Sequence, residues 1–241
     1  MKVIAISAHP DDIEINCAGT LARYVKQGDS VVMCNLCNGN LGHMVIQPEE
    51  LRAMRKAEGD RAAALIGAEH ITMDVGDLTL YHQSREMRDK LTDILRYVKP
   101  DIIITHTPDD YMSDHVAVSK LAFDASFCAS LPHYHSADGK DHPPEEAIVD
   151  VCPMFYMDNL GGFAFEPTEY VDISEEIGVK MQMLECHESQ MKWMREHDGI
   201  DFSDTVKTFA RMRGLQSGAE YAEGFRQFMG WGRIRTKRLL P

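Results

Sequence analysis

The sequence predicts an α/β fold, a Rossmann-like parallel sheet with helices on both faces, followed by a smaller C-terminal β/α portion. Three observations predict it. Apolar runs of strand length, Val3 to Ile6, Val31 to Cys34 and Ile102 to Ile104, alternate with segments whose apolar residues recur at helical spacing. Unbroken apolar strands are buried on both faces, as parallel strands are. Histidine and aspartate crowd the positions just after two of these strands, where open α/β sheets place their ligands.

The first strand leads into Ala8-His9-Pro10-Asp11-Asp12-Ile13-Glu14 and then an amphipathic helix from Ile15 to Val25. Gly28-Asp29 closes the turn to the second strand, and the loop from Asn38 to Gln47, with His43, lies on the same edge as the first turn. Pro48-Glu49-Glu50 opens a helix with proline and acids in its first turn, which runs to Ile66 and stops at Gly67. Ile71 to Met73 is a short third strand, and Ser84 caps a helix with Met87, Leu91, Ile94, Leu95 and Val98 on one face. After the fourth strand, Thr105 to His115 forms a second polar loop before a helix from Val116 to Ala129. Ser130 to Pro144 reads as a long loop whose His133, His135 and His142 show no ligand spacing. Ala147 to Val151, Phe155 to Met157 and Val171 to Ile173 read as strands. Helices are expected over Ser174 to His187, Trp193 to His197 and Phe202 to Arg213, with Tyr221 to Phe225 following a glycine-containing turn. Right-handed crossovers and the strand order three, two, one, four bring the loops after strands one and four together across one crevice.

At 241 residues and 44% hydrophobic content, the chain is expected to form a single domain over 1–241. A formal charge of −13 argues against nucleic-acid and anionic-membrane partners, and no apolar run approaches a membrane span. No apolar h-region with a cleavage site precedes the first strand, so a cytoplasmic location with the six cysteines reduced is expected. Cys34 and Cys37 form a lone CxxC within a strand, where positions i and i+3 face opposite ways, which argues against structural zinc.

The two crevice loops offer His9, Asp12 and His115 as two nitrogen donors and one oxygen donor. Three protein ligands leave a coordination position open for water, the mark of a catalytic zinc site, and Asp11 is then free to act as general base. Asp11 with Glu14 also has the form of a helix capping box. A magnesium-dependent phosphotransfer site is a further reading of the paired acids, though two histidines suit zinc better. A binding module is another, either a nucleotide-binding domain, although no GxGxxG follows the first strand, or a non-catalytic sugar-binding module on the same fold, although a module without catalysis is expected to have lost the base and Asp11 is present.

The His9-Pro10-Asp11-Asp12-Ile13-Glu14 turn, the Asp114-His115 pair and the Glu220-Tyr221-Ala222-Glu223-Gly224-Phe225 segment resemble the LmbE-like (PIG-L) family of zinc-dependent N-deacetylases. Val171-Asp172-Ile173-Ser174 and Glu188-Ser189-Gln190 extend the resemblance over nearly the whole chain. The resemblance implies zinc on His9, Asp12 and His115, Asp11 as base, and Tyr221 donating its hydroxyl to the oxyanion of an N-acetylated sugar or glycoconjugate. It also implies a homo-oligomer, trimer or hexamer, for which the basic stretch Arg233, Arg235, Lys237 and Arg238 offers one contact. The chain departs from the family at Met112, where many members carry a histidine two residues before the aspartate. Asp114 is therefore expected to lose the histidine it orients, leaving either Asp11 or His106 to supply the proton to the departing amine. The motifs do not place the arginine with which some relatives hold the acetyl group.

Overall fold

The computed structural model describes residues 1–135 and 150–241. Among these residues seven strands form one sheet in the order β3-β2-β1-β4-β5-β7-β6. β1 (Lys2–Ser7), β2 (Ser30–Cys37), β3 (Glu69–Val75), β4 (Ile102–Thr105) and β5 (Met154–Met157) are parallel, and the expected order three, two, one, four is present. The smaller C-terminal portion adds β6 (Glu169–Asp172) and β7 (Ala222–Gln227), each paired antiparallel through β7. Because β1 lies between β2 and β4, their carboxyl ends open on one crevice at the point where the winding reverses.

Burial on both faces of β1 explains its unbroken apolar run. Ile4 and Ile6 pack with Leu91, Leu95, Val118 and Leu121 of α4 (Arg85–Val98) and α5 (Ser113–Cys128). Val3 and Ala5 point the other way, into a core with Ile13, Leu21, Ala63 and Met183 from α1 (Asp12–Asn16), α2 (Ala18–Lys26), α3 (Pro48–Leu65) and α6 (Ile177–Glu185). The remaining helices among the described residues are α7 (Glu188–Trp193), which continues as a π-helical turn over Met194–Asp198, and α8 (Phe202–Ser217).

Several boundaries differ from the sequence expectation for identifiable reasons. The fifth helix begins at Ser113 instead of Val116, so Asp114 and His115 lie on its first turn and not in a loop. Of the strand expected at 147–151, residues 147–149 lie outside the described residues, as does His142, while Asp150 and Val151 are not strand. The helix expected from Ile15 to Val25 is broken at Cys17, whose backbone sits at φ −146°. Glu223 of β7 supplies the reason: its carboxylate accepts from the backbone N–H of Gly19 at 2.9 Å and of Thr20 at 2.7 Å, capping α2 from 200 residues away in sequence. Lys180 Nζ donates to the same carboxylate at 2.6 Å and to the carbonyl of Ile15 at 2.7 Å, tying both broken ends to α6.

Lys180 and Glu223 are almost wholly buried, so removal of one leaves the other charge without compensation. Glu223→Ala is expected to lower the unfolding free energy in urea by about 3–5 kcal/mol, whereas the joint replacement Glu223→Leu with Lys180→Met costs clearly less. Equal losses in the two proteins would show that helix capping, not charge compensation, is what Glu223 contributes.

Candidate metal centre and active-site cleft

The cluster is built on one sharp turn. After β1 the chain passes His9 and Pro10 to Asp11, which precedes α1 at φ +113°, a left-handed conformation that costs a non-glycine residue of order 1–3 kcal/mol. The side chain of Asp12 folds back to accept from the His9 N–H at 2.7 Å, and Asn35 Nδ2 holds the His9 carbonyl at 3.0 Å. Asp11 makes no side-chain capping bond; its Oδ2 pairs instead with Arg55 Nη2 at 2.9 Å, and Glu14 pairs with the buried His187 at 3.2 Å. The capping-box reading of Asp11 and Glu14 is therefore not what the turn does.

His9, Asp12 and His115 come together: one ligand atom from each lies within 4.8 Å of the others, and all three are buried. His115 Nε2 is 3.3 Å from Asp12 Oδ1 but is not aligned for a hydrogen bond, which leaves that buried nitrogen without a hydrogen-bond partner. That donor set, two imidazoles and a carboxylate, fits a divalent transition metal. Each histidine is backed by a further acid, the pattern that fixes the ring of a metal ligand. Asp114 Oδ2 lies 3.1 Å from His9 Nε2, and Asp110 Oδ1 lies 3.1 Å from His115 Nδ1. Asp114 thus orients the His9 ring, contrary to the expectation that Met112 leaves it without a histidine; the same oxygen also accepts from the Leu78 N–H at 2.9 Å.

The protonation of these groups follows from burial set against charge. For Asp12 burial disfavours the anion, but His115 and His106 together outweigh it and hold the carboxyl well below its usual range. Burial also opposes charge on His9 and His115, yet their acidic partners push them up to about 9 and about 10. Asp11 moves the other way from Asp12: burial raises it, only partly offset by Arg55. His106 is completely buried, accepts from the Ala8 N–H through Nε2 at 3.1 Å and stacks on the His115 ring at 3.9 Å between centroids. Burial, aided by the neighbouring His115, pushes it down to about 4, so it is neutral at physiological pH. Of the two readings of His106, proton donor or backbone-bonded residue at the strand end, its geometry is that of the second.

The cluster forms the floor of a cleft of about 380 Å³, within the usual range for small-molecule sites. Asp11, Asp114 and Met112 line it along with the three candidate ligands; His106 and Tyr221 are not among the described lining residues. Tyr221 packs instead with Lys207 and Arg211 near its ring, and its carbonyl accepts from the Ile173 N–H at 3.0 Å. The geometry therefore does not carry the expected oxyanion role of Tyr221, because that part of the segment serves the β6–β7 junction.

Sequence reading also misses residues that the fold delivers. Arg55 reaches the cleft from α3, binds the Pro10 carbonyl as well as Asp11, and passes so close beneath Gly39 that a Cβ there would overlap the guanidinium. A signal exists: Arg55 and Glu58 lie on the buried stripe of α3 with Leu51 and Ala62, where charge without a purpose is costly. Asp77 holds the cleft loop by accepting from the Gly39 and Leu41 N–H groups at 2.8 and 3.0 Å. Cys37 can also approach His9 and Asp77 as a donor, but burial pushes its thiol up, so it stays protonated and a poor ligand at neutral pH. Cys34 is likewise buried, with its thiol pushed up to about 12, and His43 lies tilted against Trp193 at 4.5 Å between ring centroids and is not among the described lining residues of the cleft.

The sequence pattern of the family described as PIG-L, GlcNAc-PI de-N-acetylase, matches residues 4–126. The diacetylchitobiose deacetylase of Thermococcus kodakarensis is 30% identical over 236 residues, covering 93% of this chain and 82% of that protein. A 1D-myo-inositol 2-acetamido-2-deoxy-α-D-glucopyranoside deacetylase of a Mycobacterium species is 25% identical over 234 residues, covering 79% of this chain and 74% of the relative. Among solved structures, the N,N'-diacetylchitobiose deacetylase of Pyrococcus horikoshii superposes with a TM-score of 0.78 at 26% identity, over 94% of this chain and 83% of that one. The 4-carboxy-2-hydroxymuconate hydratase of Pseudomonas putida superposes at 0.81 over 99% of both chains, but at 21% identity this shows the shared fold alone.

Without metal, His9 and His115 carry protons throughout the neutral range, and a metal must displace them. Zinc affinity is therefore expected to rise with pH between 6 and 8, by up to about tenfold per unit for each displaced proton, and to level only as pH approaches 9–10. Calorimetric titration in buffers of different ionisation enthalpy measures the protons released; a pH-independent affinity would contradict this account of the histidines.

Proposed function

The chain belongs to the PIG-L family of GlcNAc-PI de-N-acetylases, amide hydrolases of N-acetyl groups, and from that premise we propose that it removes the acetyl group from an N-acetylated amino sugar, using zinc held by His9, Asp12 and His115 and Asp11 as general base. The observation that carries this reading is the division of labour within one turn. Asp12 faces the two histidines as a stabilised anion, while the adjacent Asp11 lines the same cleft outside the ligand set with its carboxyl made more basic by burial. Two carboxylates whose environments push them in opposite directions are suited to different roles.

When bound, zinc supplies a Lewis acid that activates water and polarises the amide carbonyl. The chain's own residues do the rest. Asp11 accepts the proton of the attacking water, and Arg55, fixed to Pro10 and Gly39, keeps the carboxylate in place. Asp114 and Asp110 fix the rings of His9 and His115. His106 lies neutral and buried behind Asp12 and His115, so Asp11 returns its proton to the departing amine and His106 acts as a positioning residue. The magnesium phosphotransfer reading is not carried forward: two histidines face the metal position, and Arg55, the one guanidinium or ammonium group among the described lining residues, is committed to Asp11.

His115→Ala is expected to lose most bound zinc, measured by metal analysis after dialysis. Asp11→Asn is expected to keep the metal while amine release from N-acetylated sugars falls by about 10² to 10⁴. If Asp11→Asn lost the metal and Asp12→Asn kept it, the two aspartates would have exchanged roles.

A further inference from the structure

The mouth of the cleft differs sharply from its floor. Around the charged cluster stand Leu41, Leu78, Met112, Leu160 and Met194, with Tyr111 beside them. Leu78 is 64% exposed and Leu41 52%, and Tyr111 meets the exposed Phe163 edge to face at 6.3 Å between ring centroids. Exposed apolar side chains gathered on one concave surface mark a binding site rather than ordinary surface.

Leu78 is the most telling of them. Its backbone lies at φ +62°, a conformation that a leucine rarely adopts, and its N–H is anchored to Asp114, the residue that orients His9. The strain places an apolar side chain in the cleft mouth and couples it to the floor. Charge around the cleft is already spoken for among the described lining residues. Arg55 is paired with Asp11, Asp77 with the Gly39 and Leu41 amides, Asp114 with Leu78 and His9, and Asn16 and Gln190 with the carbonyls of Asp12 and Gly42. Above the imidazoles of the floor, the described lining residues offer no uncommitted guanidinium or ammonium group to meet a phosphate or carboxylate, and the wall that remains is apolar.

We propose that this mouth is a subsite for a neutral, apolar substituent carried next to the scissile amide, an alkyl or aryl group on the sugar or on the acyl side. The proposal rests on the deacetylase reading for its placement and on the cleft wall for its chemistry. It makes Leu78 and Leu41 determinants of specificity, acting by removing the apolar substituent from water.

The test compares kcat/KM of the zinc-loaded protein for N-acetylglucosamine, its octyl and phenyl β-glycosides below their micellar concentrations, N-hexanoylglucosamine and N-acetylglucosamine 1-phosphate. At least one apolar arm is expected to exceed N-acetylglucosamine by about tenfold or more, as burial of a few methylenes allows, and which arm does so distinguishes aglycone from acyl chain. The phosphate is expected to be the poorest substrate. Leu78→Asn, whose side chain tolerates the left-handed backbone, and Leu41→Asn are each expected to bring the apolar-to-plain ratio down by about fivefold. Equal rates on plain and apolar substrates, or preference for the phosphate, overturn the proposal. So does an unchanged ratio in both variants with a changed molecular mass in light scattering, which would make the rim a contact with a second copy. If no substrate releases amine, the deacetylase reading fails by itself. Calorimetry with octyl β-glucoside then decides the subsite: binding that weakens in Leu78→Asn supports it, and no binding overturns it.

Discussion

Asp12 is a buried carboxylate at the meeting point of three elements, and the arrangement around it depends on keeping that charge compensated. It accepts from the N–H of His9 after β1, faces His106 at the end of β4 at 3.3 Å, and faces His115 on α5 at 3.3 Å. Asp11, Asp77, Asp110 and Asp114 bring further carboxylates to the same small volume, and Arg55 answers only Asp11 directly. Such a surplus of buried acid is tolerable only with cations among it, either protonated imidazoles or a metal that replaces their protons. The upward displacement of His9 and His115 and the fit of the donor set to a divalent ion are two expressions of one electrostatic demand.

The fold meets that demand by bracing the turn from remote parts of the chain. α3 contributes Arg55 beneath the turn and Glu58, which accepts from the Ser189 N–H at 2.8 Å and its hydroxyl at 2.7 Å at the start of α7. His187 contacts Glu14 of α1, and Gln190 donates to the Gly42 carbonyl at 3.2 Å, so α7 closes one side of the cleft. Glu223 and Lys180 lock the break between α1 and α2. A strained backbone at Asp11 persists because these partners over-determine it.

The parallel sheet, its strand order and the meeting of His9, Asp12 and His115 are legible in the sequence because they depend on local patterns: apolar runs, helical spacing, and polar residues at strand ends. Partnerships are less so. Nothing near Cys17 announces a helix break, since the group that caps α2 is Glu223. The same segment draws attention to Tyr221, although its neighbour Glu223 carries the buried contact. Met112 suggests an orphaned Asp114, yet Asp114 turns to His9, a pairing that only the placement of α5 beside β1 reveals. Arg55 shows only as a charge on the buried face of a helix, without indication of which turn it crosses.

The central claim is that one divalent ion belongs between His9, Asp12 and His115 while Asp11 stands outside its coordination. Anomalous diffraction at the zinc edge from crystals of the zinc-loaded protein tests it most directly. One peak within about 2.0–2.2 Å of a nitrogen of each histidine and an oxygen of Asp12, with Asp11 still paired to Arg55, is the predicted result. A peak between Cys37, Asp77 and His9, or one coordinated by Asp11, would contradict it.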